Sequence, residues 1–147
     1  MDSMFTLRTM TLADHPAVLA LMTATPGVSI RDADSYEATA RYLARNPDLS
    51  VVAHQRETLI GSVMCGHDGR RGYLQHLVVS PAHRRQGVGS ALVAQCLAGL
   101  EALGILKTHI DVYRTNVAAL EYWARRGWER RDDTYRYSFL RGSNRNA

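Results

Sequence analysis

The sequence predicts a mixed α/β fold with a largely antiparallel sheet and two crossover helices. Apolar residues alternate with period two in some segments and recur every three to four residues in others, which separates strands from helices. Along the chain these segments follow the order β-α-α-β-β-β-α-β-α-β-β. This order lacks the strict alternation of strand and helix that is typical of a doubly wound parallel sheet.

The first half of the chain predicts one strand, two helices and a hairpin. Thr11 or Asp14 is expected to cap the first helix, because Pro16 is tolerated only in a first turn. Asp34 and Glu37 have the spacing of a capping box at the start of the second helix. The predicted elements are a strand in 4–10, helices in 11–24 and 31–47, and hairpin arms in 49–55 and 58–69.

The second half of the chain predicts further strands and two more helices. Asn116 is the expected cap of the last helix, and Gly104 and Gly127 are natural helix stops. The closing strands are expected to turn around Asp132 and Asp133. The predicted elements are strands in 72–81 and 107–113, helices in 88–103 and 116–127, and two closing strands in 128–141.

Length and composition predict a single domain, 1–141, followed by a flexible polar tail, 142–147. The 147 residues are 46% hydrophobic and 22% charged, which is ordinary for a globular protein. No apolar run approaches the roughly 20 residues that cross a bilayer, so no membrane partner is predicted. Cys65 and Cys96 are expected to be buried free thiols. With no signal peptide recognised at the N-terminus, a cytoplasmic location is expected.

A glycine-containing turn stands out between a buried strand and a long helix. Gly87 and Gly89 allow close approach to the backbone, and Arg84 and Arg85 add positive charge. The N–H groups and the dipole of a helix N-terminus attract anions. Together with a net charge of +4, this turn favours an anionic partner, and a pyrophosphate is the anion that it fits best.

The residue pattern alone does not decide what this turn binds. A dinucleotide fingerprint needs a third glycine where Leu92 stands, and a P-loop needs a lysine that is absent. A plain tight turn with two solvated arginines is the third alternative. Nucleic acid is not a predicted partner, because the chain lacks a basic stripe with interleaved aromatic residues.

The segment around the turn resembles motif A of the GCN5-related N-acetyltransferases, the GNAT family. That motif is a strand, then Val-x-Pro, then Arg/Gln-x-x-Gly-x-Gly/Ala opening a helix. In "LVVSPAHRRQGVGSAL" its places are filled by Val79, Pro81, Arg84, Gly87 and Gly89.

A second segment, "NVAALEYWARRGW", is similar to motif B of the same family. Asn116, Ala119, Tyr122, Gly127 and Trp128 match at the motif's spacings. The two motifs have the family's order and separation, and the predicted order of elements also agrees. The resemblance therefore covers nearly the whole chain and implies the GNAT acyl-CoA N-acyltransferase fold.

The resemblance implies acetyl-CoA as cosubstrate, with no metal. Backbone N–H groups from Arg85 to Ser90 would hold the pyrophosphate, and Leu77–Val79 would pair with the pantetheine arm as an added strand. In this family that strand parts from the neighbour that here starts at Thr108. The cofactor-binding residues so implied are Leu77, Val78, Val79, Arg84, Arg85, Gln86, Gly87, Val88, Gly89, Ser90, Asn116 and Ala119.

The resemblance also implies transfer of the acetyl group to a primary amine by direct attack. A backbone N–H near Leu77 is expected to stabilise the oxyanion. Tyr122 occupies the family's general-acid position, and core packing beside Trp123 is the alternative role. Asn116 is expected to cap its helix, and family members also use this asparagine near the cofactor.

The general base cannot be carried over from the family. Many relatives use a glutamate on the strand that here carries Gln75 and His76. His76 is the candidate base, because imidazole titrates in the useful range, and a surface role is the alternative. A water chain without a single base is a further alternative. The weaker candidates are Asp111, His109 and His67.

The acceptor is expected to be a small-molecule amine or the amino group of a protein or peptide. The resemblance implies that the first two helices and the last hairpin line the acceptor site. Carboxylates there would attract a cationic amine, and capping or turn roles are the alternative for the same residues. These carboxylates are Asp32, Asp34, Glu37, Asp132 and Asp133.

A non-catalytic acyl-CoA-binding sensor or scaffold of the same fold is the alternative function, because the usual strand carboxylate is missing. Members of the family often form homodimers, and no sequence feature here decides the oligomeric state.

Overall fold

A computed structural model describes residues 5–147. They form two compact units, one ending at Ile110 and the other running from Asp111 to Ala147. The helices and strands, in chain order, are β1 (Thr6–Thr9), α1 (His15–Thr23), α2 (Tyr36–Arg45), β2 (Val51–Gln55), β3 (Thr58–His67), β4 (Gly72–Val79), α3 (Val88–Ala102), β5 (Thr108–Ile110) and α4 (Val117–Arg125).

The first unit contains a mixed sheet with the strand order β1-β2-β3-β4-β5. The first four strands are antiparallel neighbours, and β5 pairs with β4 in parallel. This architecture confirms the predicted fold class, a mixed α/β fold with a largely antiparallel sheet. It also confirms the hairpin of β2 and β3, which turns at Arg56 with φ +57°.

Apolar side chains cover both faces of this sheet. On one face Val52 and Val78 pack with Val18 and Met22 of α1. On the other face α3 presents a buried stripe with helical spacing, as the sequence predicts. The buried residues of that stripe are Val88, Leu92, Cys96 and Leu100.

The starts of α1 and α2 differ in detail from the sequence prediction. The hydroxyl of Ser35 caps α2 by accepting from the Ala38 N–H at 3.1 Å, so the predicted capping box of Asp34 and Glu37 is wrong. Because α2 begins at Tyr36, Asp34 lies outside it, in a 3-10 turn. Before α1, the Asp14 carboxylate does not cap the helix but accepts from the Thr11 N–H at 2.8 Å.

The second unit contains α4, whose ends are as predicted. The side chain of Asn116 accepts from the Ala119 N–H at 3.1 Å, and Gly127 follows the helix with φ +82°.

The two predicted closing strands are not formed, because residues 128–147 adopt no strand conformation. Aromatic residues do alternate there, but Tyr135, Tyr137 and Phe139 are 83%, 93% and 81% exposed. A strand requires a neighbouring strand to pair its backbone, and alternation alone does not supply one. The prediction of a single domain over 1–141 with a flexible tail stays a prediction. Over residues 5–147, no helix has the length and apolar character needed to cross a membrane.

Candidate functional site

The parallel pairing of β5 with β4 covers only the first part of β4. The two strands pair only at Gly72–Thr108, Tyr73–His109 and Leu74–Ile110. Within residues 5–147, no strand pairs with Gln75–Val79 on the β5 side. The predicted parting of these strands stays a prediction, because β5 is paired along its whole length and ends at Ile110.

A β-bulge lies in this unpaired half of β4. Ser62 pairs with Val78 and Met64 pairs with Gln75, so His76 and Leu77 together face the single residue Val63. His76 adopts a left-handed backbone conformation with φ +52°. Histidine enters this region more often than most residues other than glycine, but the conformation still costs energy and is typical of functional positions.

The bulge reverses the face to which β4 side chains point. Regular alternation would place His76 on the side of Gly72, where an added Cβ would lie 2.6 Å from Leu100 of α3. Beyond the bulge, Val78 packs instead with the cluster on the α1 side. His76 contacts Asp34, in the turn before α2, which agrees with the same change of face.

The side chains of His76 and Asp34 are in direct polar contact. His76 Nε2 lies 2.9 Å from Asp34 Oδ1, and the two side chains are 26% and 8% exposed. The second carboxylate oxygen of Asp34 accepts from the Arg31 N–H at 2.9 Å. The predicted site residue His76 is thus held by a nearly buried carboxylate rather than left on the surface.

The connection from β4 to α3 is anchored at both ends. The Ser80 N–H donates to the Ile60 carbonyl at 2.8 Å, and a 3-10 turn follows over Pro81–His83. His83 Nε2 lies 2.9 Å from Gln55 Oε1 at the end of β2. These contacts fix the path of the chain before the predicted anion-binding turn.

The turn itself contains two left-handed positions separated by one residue. Arg85 has φ +64° and Gly87 has φ +83°. Gly87 precedes α3 and supplies no side-chain cap, and the first bond of the helix runs from the Ala91 N–H to the Gly87 carbonyl. Val88 is buried and anchors the helix, whereas Arg84 and Arg85 are exposed. Such a helix start with adjacent cations is an anion-binding geometry.

In the second unit, Tyr122 lies on α4 with its hydroxyl buried. This hydroxyl has no hydrogen-bond partner in the described part of the chain. The ring packs edge-on against Trp123 at 5.1 Å between centroids, and the Arg126 guanidinium lies 4.3 Å from the ring centroid. A buried phenol that is not bound to the protein is suited to donate to a ligand.

The weaker candidates for the general base contact residues other than Asp34. His67 Nδ1 accepts from the Gly69 N–H at 3.0 Å in the β3–β4 turn, and His109 stacks on Tyr73. Asp111 is exposed and pairs with Arg136 at 2.6 Å.

The predicted acceptor-site carboxylates have different surroundings. Asp132 and Asp133 form exposed ion pairs at 3.1 Å with Arg130 and Arg131, respectively. Asp34 is buried and bound, so it is not an open carboxylate for a cationic substrate.

The pairing of Asp34 with His76 was missed by the sequence analysis. The two residues are far apart in the chain, and neither local spacing nor composition signals the bulge that brings them together. Among residues 5–147, no group of three or more histidine, cysteine, aspartate or glutamate side chains is arranged to hold a metal ion.

A family model described as the acetyltransferase (GNAT) family matches residues 16–128. The chain belongs to the GNAT family. The match includes both segments from which the sequence analysis inferred the resemblance, so that inference is confirmed.

Curated and solved relatives agree with this family. An acetyltransferase of Yersinia pestis (strain Pestoides F) is 36% identical over 92 residues, which are 63% of this chain and 65% of that protein. The chain thus spans less than two thirds of that relative's length.

Two solved structures share the GNAT fold with this chain. The PaiA N-acetyltransferase of Thermoplasma acidophilum, solved with coenzyme A, superposes with a TM-score of 0.74 at 17% identity, covering 84% of this chain and 88% of that one. A GNAT-family acetyltransferase of Streptococcus pneumoniae TIGR4 gives 0.73 at 20% identity, covering 95% and 100%.

Proposed function

We propose that this protein is an acetyl-CoA-dependent N-acetyltransferase that acylates a primary amine by direct attack. One observation carries the proposal. The half of β4 that lacks a partner on the β5 side leads directly into the left-handed turn and uncapped start of α3. An extended arm that ends in a pyrophosphate fits this arrangement, because the arm can lie along the open strand edge while the pyrophosphate reaches the anion-binding turn.

The cosubstrate is assigned to the residues that the resemblance implies. Leu77–Val79 offer main-chain groups to the pantetheine arm, and the amides between Arg85 and Ser90 face the pyrophosphate. Arg84 and Arg85 supply positive charge for the phosphates. Acetyl-CoA bound in this way presents its thioester, and the lone pair of the amine nitrogen attacks the carbonyl carbon of that thioester. No metal is part of the proposal.

The chemistry needs one group to stabilise an oxyanion and another to protonate the leaving sulfur. We assign stabilisation of the oxyanion to a backbone N–H near Leu77, and the bulge that interrupts the β3–β4 ladder at His76 and Leu77 supports this assignment. Tyr122 is proposed as the general acid. The absence of a hydrogen-bond partner for its buried hydroxyl within residues 5–147 supports that role.

His76 is proposed as the general base. An alkyl amine with a pKa of about 10.4 is almost fully protonated at neutral pH, so a proton must be removed before or during attack. A general base typically contributes about 10²–10⁴ in rate. The contact with Asp34 supports this role, because a carboxylate on one ring nitrogen orients the other.

The acceptor is a primary amine, either of a small molecule or of a protein or peptide. The burial of Asp34 removes one predicted attraction for a cationic acceptor. A cytoplasmic location, a possible homodimer, and the lack of nucleic-acid or membrane partners stay predictions of the sequence.

A turnover assay tests the proposed function. Purified protein is mixed with acetyl-CoA and a panel of amines and N-terminal peptides, and free thiol release is followed. We expect turnover on at least one acceptor and a fall of at least tenfold in kcat for Tyr122→Phe. A matched control is Tyr135→Phe, which removes an exposed hydroxyl from the same unit.

Binding of acetyl-CoA without turnover on any acceptor would favour the alternative function, an acyl-CoA sensor or scaffold. Absence of acetyl-CoA binding would contradict both.

A further inference from the structure

The contact between His76 and Asp34 indicates which nitrogen of the imidazole ring carries the proton. An ionised carboxylate only accepts hydrogen bonds, so the ring nitrogen that faces it carries the proton. That nitrogen is Nε2, at 2.9 Å from Asp34 Oδ1. In a neutral imidazole the other nitrogen, Nδ1, is then unprotonated. Within residues 5–147, Asp34 is the polar side chain recorded against this ring, and it contacts Nε2 rather than Nδ1.

The carboxylate of Asp34 is itself held in place. Its Oδ2 accepts from the Arg31 N–H at 2.9 Å, and the Asp34 N–H donates to the Arg31 carbonyl at 2.9 Å. The backbone carbonyl of Asp34 contacts His15 Nε2 at 2.8 Å. The two carboxylate oxygens thus have different contacts, and rotation of the group would break the bond with the Arg31 N–H and move Oδ1 away from His76. This arrangement keeps a fixed acceptor in front of His76.

The backbone of His76 also favours a positioned side chain. Its left-handed conformation at the bulge is unfavourable for a residue with a Cβ, and it accompanies the placement of the ring on the Asp34 side of the sheet. A surface histidine with no role would gain nothing from this conformation. The bulge and the carboxylate therefore define both the location and the protonation of the ring.

We propose that Asp34 is a positioning residue that holds His76 as the Nε2–H tautomer, so that Nδ1 accepts the proton of the acceptor amine. This inference rests on the proposed acetyl transfer. In that step the nitrogen lone pair forms the C–N bond and the C–S bond breaks. Nδ1 takes the proton that leaves nitrogen, and the sulfur takes one from the Tyr122 hydroxyl. Exchange with solvent then returns a proton from the imidazolium to the phenolate.

Substitution by asparagine tests the proposal sharply, because asparagine has only one side-chain oxygen. In Asp34→Asn that oxygen is required by the Arg31 N–H, so the amide NH₂ faces His76 Nε2. A donor in this place favours an unprotonated Nε2 and a protonated Nδ1. The variant preserves the shape of the side chain and is expected to reverse the tautomer.

The first readout is the tautomer of His76 by ¹⁵N NMR of protein labelled at histidine, at a pH where the ring is neutral. The spectrum of His76→Gln identifies the signals. We expect the Nε2–H form in the wild type and in the control Glu101→Gln, an exposed carboxylate near the far end of α3. We expect the Nδ1–H form in Asp34→Asn. A wild-type ring that is mainly Nδ1–H overturns the proposal, even if Asp34→Asn fails to fold.

The second readout is a double-mutant cycle in turnover. We expect Asp34→Asn to lower kcat by about 10²-fold with little change in KM, which is within the range of general base catalysis. The double variant with His76→Gln is expected to be no slower than His76→Gln alone, since Asp34 acts through His76. Additive losses overturn the proposal. Absence of wild-type turnover overturns the proposed function instead, and the NMR readout still decides whether Asp34 sets the tautomer.

Discussion

Gly61 of β3 lies directly against Val88 in the first turn of α3. A Cβ at Gly61 would lie 3.0 Å from Val88 Cγ1, 3.1 Å from Leu92 Cδ1 and 3.3 Å from the Val78 carbonyl. Glycine therefore allows the sheet to approach the helix start that follows the anion-binding turn. The position of that turn depends on this contact, because Val88 is buried immediately after Gly87.

Gly61→Ala is expected to weaken both the fold and cosubstrate binding. An extra methyl group must push the side chains of Val88 and Leu92 aside by a few tenths of an ångström, and such overpacking costs about 1–3 kcal/mol of unfolding free energy. Urea unfolding and isothermal titration with acetyl-CoA measure the two effects. Gly99→Ala is the control, since its Cβ would meet only the end of the Leu49 side chain and alanine favours a helix. Equal affinity in Gly61→Ala and wild type would contradict the role given to this contact.

Two substitutions of Arg85 distinguish the effect of its backbone strain on stability from the effect of its charge on phosphate binding. Its φ of +64° is unfavourable for arginine and is tolerated by glycine. We expect Arg85→Gly to raise the unfolding free energy by about 1 kcal/mol relative to Arg85→Ala. Both variants lose the cation and are expected to bind acetyl-CoA several-fold more weakly, most clearly at low salt. Unchanged affinity in both would show that this guanidinium does not contact the phosphates.

The ion pair of Arg8 and Asp14 predicts a pH-dependent stability. The guanidinium donates to both carboxylate oxygens at 2.7 and 2.8 Å, and these bonds lower the pKa of Asp14 below its ordinary value. Because the folded pKa is lowered, the stabilisation is present above the unfolded pKa of about 3.9 and is lost as the pH falls through the folded pKa.

We expect Asp14→Asn to cost about 1–2 kcal/mol at pH 7, allowing for the half-exposed Arg8. Urea unfolding between pH 7 and pH 3 should show this difference shrinking below about pH 4. A difference that is constant over that range would contradict the assignment.

The two cysteines are expected to be unreactive in the folded protein. Cys65 and Cys96 are fully buried, which keeps reagents away from both thiols. The interaction between the two thiols, together with burial, raises the pKa of Cys96, whereas the same interaction lowers the pKa of Cys65. Since only the thiolate reacts, Ellman's reagent should label neither cysteine until the protein is unfolded in urea, when both react. Rapid release of one equivalent of thionitrobenzoate from the native protein would contradict this expectation, because it would show that one thiol is accessible to the reagent.

Local signals predicted most of the fold. Gly104 and Gly127 adopt the left-handed conformation expected after a helix, and Asn116 caps α4, because each effect depends on neighbours within a few residues. The capping box of Asp34 and Glu37 failed because Ser35 is the better-placed cap. The closing strands failed because strand pairing depends on a distant partner, whereas alternation depends only on the segment itself.

The sequence names candidate residues throughout the site, but it indicates their arrangement only in the backbone turn. The glycines and arginines after β4 are close together in the chain, so their pattern is visible in the sequence. The bulge at His76 depends on register between two strands, and the contact with Asp34 depends on the packing of the turn before α2 on the sheet. Neither depends on local spacing. The sequence could name His76 as a candidate base, but its contact with Asp34 became visible only in the structure.

Hydrogen–deuterium exchange with and without acetyl-CoA tests the central claim most directly, because the claim assigns the ligand to main-chain amides. Acetyl-CoA is expected to slow exchange in peptides that cover Leu77–Val79 and Arg85–Ser90, with little change in α2 and β2. Protection confined to other segments, or no protection at saturating acetyl-CoA, would contradict the placement of the cosubstrate along β4 and at the start of α3.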